Sequence, residues 1–426
     1  MLMNTFSLTP GPGKREGRIT LNGHDMTLSK FKKSCSYVPQ QDNHWPYLTC
    51  REAIEFATEL QHTYSPEEKA SLVDTLIKEM GLTSCQNTRV GNQFIQGLSG
   101  GQKRRLSLAI ALVKKPAVIL LDEPTSGLDA AAATSIMTFF KDLSVNLNII
   151  IIATIHQPST KVYNGFDTTM VLTAGQSAYY GPAAFLEHYL KEIERPIPDH
   201  SNPAEHVLDL VNHEFVDEKE VEYMVHSWNV YFNREKENSD SYLYELSKEV
   251  ESPKHADLPA PKECAPGSLQ QVLTLTKRHA ILTYRDPILY VGRALTFLFC
   301  CTFFSIVYLE ARGRKQEQAP YKMFLFMWHI GVPTALGVVA VFSYNLEHIS
   351  IKREVKQGMY KPSSYCIAST ILQIPVMFIL SIMALTVGGY CVSLYHVPMF
   401  LQMIVLYACK FLSASSLHLL IERALN

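Results

Sequence analysis

Leu98-Ser99-Gly100-Gly101-Gln102 opens a helical pattern through Lys103-Arg104-Arg105, and Val118-Ile119-Leu120-Leu121-Asp122-Glu123-Pro124 follows it. Paired glycines let a backbone approach an anion closely, and a helix N-terminus presents free N–H groups to it; the Ser99 hydroxyl is a further donor. The second piece is an unbroken apolar run that ends in two carboxylates. Runs of this kind mark strands covered on both faces, as in a parallel sheet lined by helices. Ligands of open α/β sheets bind at the carboxyl ends of strands, so Asp122 and Glu123 sit where a magnesium-bound nucleotide would lie. Each piece also has a bland reading, as a capped helix start and as a solvated acidic loop. Their succession favours the ligand site. Ser126-Gly127-Leu128-Asp129 comes next, and Ile152-Ala153-Thr154-Ile155-His156-Gln157-Pro158 ends a further strand. A lone histidine in such a place is more often structural than catalytic.

Toward the N-terminus, Arg18 to Gly23 reads as a strand ending in a turn, and Ser36 to Pro39 as another strand leading into Gln40-Gln41-Asp42. Thr49 to Thr58 reads as a helix, with Thr49 and Glu52 forming a capping box. Pro66 to Met80 continues helical and stops at Gly81. Ile149 to Ile152 is a second fully apolar run, expected to be buried on both faces like Val118 to Leu121. Between Glu235 and Ser268 the composition turns to Glu, Lys, Ser, Asp and Pro, which reads as a linker.

Beyond it the solvent changes. A bilayer core takes about 20 apolar residues per helix, and residues 290–309, 323–344, 366–392 and 397–420 read as four spans. The 345–364 loop carries Lys352, Arg353, Lys356 and Lys361, as a cytoplasmic loop should. Arg312, Arg314, Lys315 and Lys322 on the opposite loop run against that rule, and the orientation rests on the need to keep the α/β part in the cytosol. Net charge is −1, which gives no argument for nucleic acid. The nine cysteines form no CxxC pair, so neither a zinc site nor a secreted disulfide framework follows.

Taken in this order, the segments resemble the ABC ATPases over about residues 18–215, and the ABC membrane domain over 269–426. The cassette precedes the membrane helices, and Asn202-Pro203-Ala204-Glu205-His206-Val207-Leu208-Asp209 is similar to a motif of the G subfamily. Lys352-Arg353-Glu354 with Tyr360 and Tyr365 looks like that subfamily's cytoplasmic coupling segment. White-type half-transporters and pleiotropic drug-resistance pumps are the relatives implied. The fold so implied is an α/β P-loop NTPase-type cassette over residues 1–234, a linker over 235–268 and an all-α transmembrane domain over 269–426.

The resemblance also implies roles. Gln40, or the adjacent Gln41, senses magnesium and water; Asp122 is the Walker B aspartate that holds Mg²⁺ with it. Glu123 is the catalytic base, His156 the switch histidine on the γ-phosphate, and Asp129 the D-loop residue. Ser99, Gly100, Gly101 and Gln102 form the signature motif, which meets the ATP held by a partner cassette. ATP and Mg²⁺ are the implied cofactors. The implied function is ATP-driven export of a lipid, sterol or xenobiotic-like substrate by a dimer with a second half-transporter. The alternative is a non-hydrolysing or regulatory subunit that only lends its signature motif to a partner.

One motif departs from the family pattern. A P-loop, G-x-x-x-x-G-K-[ST], supplies backbone donors and a lysine to the phosphates. The one candidate, Gly11-Pro12-Gly13-Lys14, has Leu8 at the first glycine position, Arg15 in place of Ser or Thr, and a proline that removes a donor. Leu2 to Ser7 looks like the start of the helix that follows such a loop. The expectation is a chain that begins just after its Walker A motif, stops short of the family's last helices and binds ATP weakly by itself.

Overall fold

The computed structural model describes residues 17–92, 95–212, 217–237, 266–307 and 349–385, with isolated positions between 317 and 347. In chain order the elements are β1 (Thr20–Leu21), β2 (His24–Asp25), α1 (Leu28–Ser34), β3 (Cys35–Val38), α2 (Cys50–Gln61), α3 (Pro66–Glu79), α4 (Gly100–Leu112), β4 (Val118–Leu121), α5 (Ala130–Leu147) and β5 (Ile150–Ala153). There follow α6 (Thr160–Tyr163), β6 (Thr168–Thr173), β7 (Gln176–Pro182), α7 (Leu186–Glu192), α8 (Pro203–Val211), α9 (Glu218–Glu237), α10 (Ser268–Arg285), α11 (Pro287–Val307) and α12 (Pro362–Leu385). They fall into two compact units, one of Met1–Asp42 with Ser99–Lys262, the other of Asn43–Leu98 with Glu263–Asn426.

In the first unit, β3, β4 and β5 form a parallel sheet in that order, registered from Cys35↔Val118↔Ile150 to Val38↔Leu121↔Ala153. All three strands therefore end at the same edge, which is the edge that carries Asp122. β4 is the central strand and every residue of it is buried. The expectation for Ile149 to Ile152 is corrected: Ile150 is 56% and Ile152 40% exposed. Among the described residues β5 pairs with β4 alone, so it is an edge strand, and apolar composition cannot tell an edge from a centre. β1 and β2 form a hairpin turned by Asn22 and Gly23, both at positive φ. β6 and β7 form an antiparallel ribbon. With α7, α8 and α9 the ribbon closes a separate core around Tyr179, Tyr189 and Trp228, whose rings lie 5.0–5.4 Å apart. Arg195 and Glu220 pair at its rim.

In the second unit, α2 starts at Thr49 with both halves of the expected capping box present, and α3 starts at Ser65 with a second box through Glu68 and Pro66 at its first position. Each cap contributes roughly 0.5–2 kcal/mol. Ile54, Leu60, Val73 and Leu82 are buried where the two helices meet the following turn. α10 is amphipathic: Val272, Leu275, Arg278, His279 and Leu282 are buried, whereas Leu269 and Leu273 are exposed. α11 covers part of the first expected span and shows Leu295, Phe299, Phe303 and Ile306 on its surface. α12 covers part of the third. Among the described residues no helix is long and apolar enough to cross a membrane. The span at 397–420, nearly all of that at 323–344 and the P-loop candidate at 8–15 lie outside the described residues. α9 runs to Glu237 and α10 begins at Ser268, so the first residues assigned to the linker are helical.

Candidate functional site

The ends of β3, β4 and β5 bring three of the expected residues together. Gln40 Nε2 donates to Glu123 Oε2 at 2.6 Å. Asp122 accepts from the Tyr37 hydroxyl at 3.0 Å through one oxygen and from the Thr154 hydroxyl at 2.8 Å through the other. The Glu123 N–H in turn donates to Thr154 Oγ1 at 3.0 Å. Burial, with the Asp122 charge beside it, pushes the Tyr37 phenol well above its ordinary pKa, so it stays a neutral donor. Gln41 is exposed and Gln40 takes the contact.

Glu123 has φ +43°, in the left-handed region that costs a non-glycine residue of order 1–3 kcal/mol. The conformation turns its side chain toward Gln40 as the chain leaves the strand. The turn continues with Ser126 N bonded to Glu123 O at 3.1 Å and with Gly127 at φ +73°. Asp129 then caps α5, accepting from the Ala132 N–H at 2.7 Å. Gln157, next to His156, also has positive φ, and Asn202 at the start of α8 donates to Pro158 O at 2.7 Å. His156 is exposed. Among the described residues no hydrogen bond joins His156, Asp129 or Ser99 to the carboxylate cluster.

Ser99 caps α4, and Gln102 completes a capping box. The bland reading of this motif therefore holds as local geometry. It does not account for the glycines: a Cβ at Gly101 would meet nothing within 4 Å, and one at Gly100 only the Leu128 side chain at 3.6 Å. Among the described residues nothing crowds these two positions.

Three partners were not singled out as site residues from sequence: Tyr37, Thr154 and Arg104. Arg104 is 3% exposed, and its guanidinium bonds to Pro39 O, Gln40 O, Asp122 O and Glu123 O at 2.7–3.3 Å. The signal available was an arginine ahead of a helical stretch, Leu106 to Leu112, that is apolar apart from Ser107.

The second unit holds another polar cluster. Glu354, 5% exposed, accepts from Trp45 Nε1 at 2.8 Å, Arg278 Nη1 at 3.1 Å and the Tyr360 hydroxyl at 2.7 Å, and Arg278 Nη2 lies 3.0 Å from its other oxygen. The Arg278 guanidinium sits 4.7 Å over the Trp45 ring. Burial works against its charge, yet Glu354 outweighs this and holds the pKa above the ordinary value. Beside it, burial and then the Arg278 charge push His279 down to about 3. Arg285 pairs with both oxygens of Glu52 at 2.6 and 2.7 Å, Ser350 reaches Asn43 O, and Arg353 lies 3.5 Å from His44 Nδ1. Ser350, Arg353 and Glu354 thus rest against residues 43–45. Glu354 is a buried ion-pair partner in this contact.

Comparison with known proteins adds the family. The ABC transporter family matches residues 1–126, and two ABC-2 type transporter families match residues 156–239 and 270–421. ATP-binding cassette sub-family G member 8 of Rattus norvegicus is 28% identical over 86% of this chain and 54% of its own length. ABC transporter G family member 1 of Petunia hybrida is 28% identical over 93% of this chain and 63% of its own. ABC transporter G family member 7 of Arabidopsis thaliana is 31% identical over 84% and 50%. The chain thus spans between half and two thirds of these relatives. Among solved structures, cbiO1 from Clostridium perfringens, part of the ABC transporter complex cbiONQ, is 24% identical over 49% of this chain and 80% of its own, at a TM-score of 0.39. An ABC cassette followed by an ABC-2 membrane domain, with G-family members as relatives, makes this chain a membrane-associated member of the ABC transporters, of the G-subfamily type.

Proposed function

We propose that the chain is a subunit of an ATP-driven transporter that moves a lipid, sterol or xenobiotic-like substrate, working as a dimer with a second half-transporter. The observation that carries this reading is the convergence of Gln40, Asp122 and Glu123 at the ends of parallel strands. The donor set suits magnesium, a hard cation that takes one or two carboxylates and completes its shell with phosphate and water. Asp122 and the Gln40 amide oxygen would hold it, and bound there it would neutralise charge on the transferred phosphoryl group. Glu123 orients the attacking water and accepts its proton. The Tyr37 and Thr154 hydroxyls hold Asp122 still, and Thr154 also fixes the Glu123 backbone. His156 contacts the γ-phosphate, and Asp129 lines the neighbouring turn. Ser99, Gly100, Gly101 and Gln102 serve ATP on the partner, a role that the open space at Gly101 supports. The junction of residues 347–360 with Trp45 carries closure of the cassette toward the membrane helices.

Glu123→Gln tests the assignment. In a version of the chain that carries a complete P-loop, reconstituted in lipid with its partner, ATP turnover should fall at least ~100-fold, the usual worth of a general base, while ATP binding stays within about twofold. Undiminished turnover removes Glu123 from its role.

A further inference from the structure

Arg104 is the buried charge that the chemistry above leaves without a task. Arginine is almost never fully buried unless paired, and this one spends its donors on two loops at once. Nη1 reaches Pro39 O at 2.7 Å and Asp42 Oδ1 at 3.3 Å. Nη2 reaches Gln40 O at 3.3 Å, Asp122 O at 3.3 Å and Glu123 O at 3.1 Å, and Nε reaches Pro124 O at 3.4 Å. Every residue from Asp122 to Pro124, and three of the four from Pro39 to Asp42, is touched by one side chain. β3 and β4 are held by ladder bonds as far as Asp122 N to Val38 O at 3.0 Å. Beyond that point the two segments leave the sheet side by side, and Arg104 spans them. Ser107, one turn further along α4, donates to Asp42 Oδ1 at 2.6 Å, so the same helix grips the far end of the Gln40 segment twice. The N-terminus of α4 is the Ser99-Gly100-Gly101 turn.

We propose that Arg104 is a positioning residue: from α4 it sets the separation of Gln40 and Glu123, so that the catalytic pair moves with the helix that begins at Ser99. The inference rests on the nucleotide reading of the site. It adds a rigid link, within one chain, between the turn that faces a partner's nucleotide and the carboxylate that acts on the chain's own. A lysine cannot replace it, because a single ammonium has three donors on a flexible stem and cannot present a planar fork to both segments.

Arg104→Met and Arg104→Lys test it with two readouts in the full chain reconstituted with its partner. The first is steady-state ATP turnover with Mg²⁺. A misplacement of about 1 Å can cost up to ~100-fold in rate. kcat should therefore fall about 10- to 100-fold in the methionine variant with KM for ATP within about threefold, and the lysine variant should recover little. The second needs no nucleotide: amide exchange in peptides covering 39–43 and 122–126 should accelerate together, while the core of Tyr179, Tyr189 and Trp228 keeps its protection. If the methionine variant does not fold, Arg104→Lys and the milder Asp42→Asn, which keeps the shape and removes the charge partner, decide by the same readouts. The proposal is overturned by native exchange in both segments, by kcat within about twofold of the parent, by a loss in KM alone, or by loss of protection throughout the unit. If the parent chain turns over no ATP, the nucleotide reading fails by itself. The exchange result then decides the brace: matched loosening of the two segments sustains it, and native exchange ends it.

Discussion

Replacing Glu354 by glutamine tests the buried junction of the second unit with almost no change in shape. The carboxylate of Glu354 accepts from Trp45, Arg278 and Tyr360, and Arg278 beside it is 2% exposed. The amide keeps one oxygen acceptor, places an NH₂ where a donor already points, and leaves the Arg278 cation buried without a counter-charge. Hydrogen bonds to a charged group contribute about 1.5–3 kcal/mol each. They do not add, and breaking a buried ion pair by removing one partner costs about 3–5 kcal/mol net. At ~2–4 °C per kcal/mol for a unit of this size, the unfolding midpoint should fall by roughly 6–20 °C. Trp45 lies in the cluster, so its signal contributes to thermal unfolding in detergent followed by tryptophan fluorescence. Glu354→Leu combined with Arg278→Met removes both charges and should restore most of the loss, because an apolar pair of similar volume is often neutral or better. A single-variant midpoint within about 2 °C of the parent, or a double variant worse than the sum of its parts, refutes the reasoning.

His279, held neutral at about 3, stabilises the native state fully above the unfolded pKa, and that stability drains away as pH falls from about 6.5 toward 3. The second unit should lose about 2 kcal/mol between pH 7.5 and pH 5 in denaturant titrations, and His279→Phe should abolish most of that slope. Arg353→Glu, set against His44, should reduce transport in proteoliposomes at least about fivefold while basal ATP turnover stays within about twofold, with partial recovery on adding His44→Arg; normal transport removes the segment from coupling.

Much of the local structure was legible in the chain because its causes lie within four residues. Thr49 with Glu52 announced the start of α2, Pro66 the start of α3, and the Asp122-Glu123 pair after an apolar run the end of β4. Those signals also placed Asp122 and Glu123 at the carboxyl-terminal edge of a parallel sheet. Ring and charge partners far apart in sequence left no such trace. Trp45 and Glu354 are 309 residues apart and Arg278 and Glu354 are 76 apart. A charged residue on a helix reads the same whether it is solvated or paired in a core, which is why the burial of Glu354 and of Arg104 left no trace in the sequence. Burial of β5 was misread for a related reason: whether Ile150 and Ile152 are covered depends on what lies beyond β4, and apolar composition records only that cover is favourable. Sequence by itself therefore determined where the chain turns, caps and places its carboxylates, since these follow from short-range hydrogen bonding and backbone freedom. Only the tertiary structure decided which charges are buried and what they hold, because that is settled by desolvation against partners brought in from elsewhere in the chain.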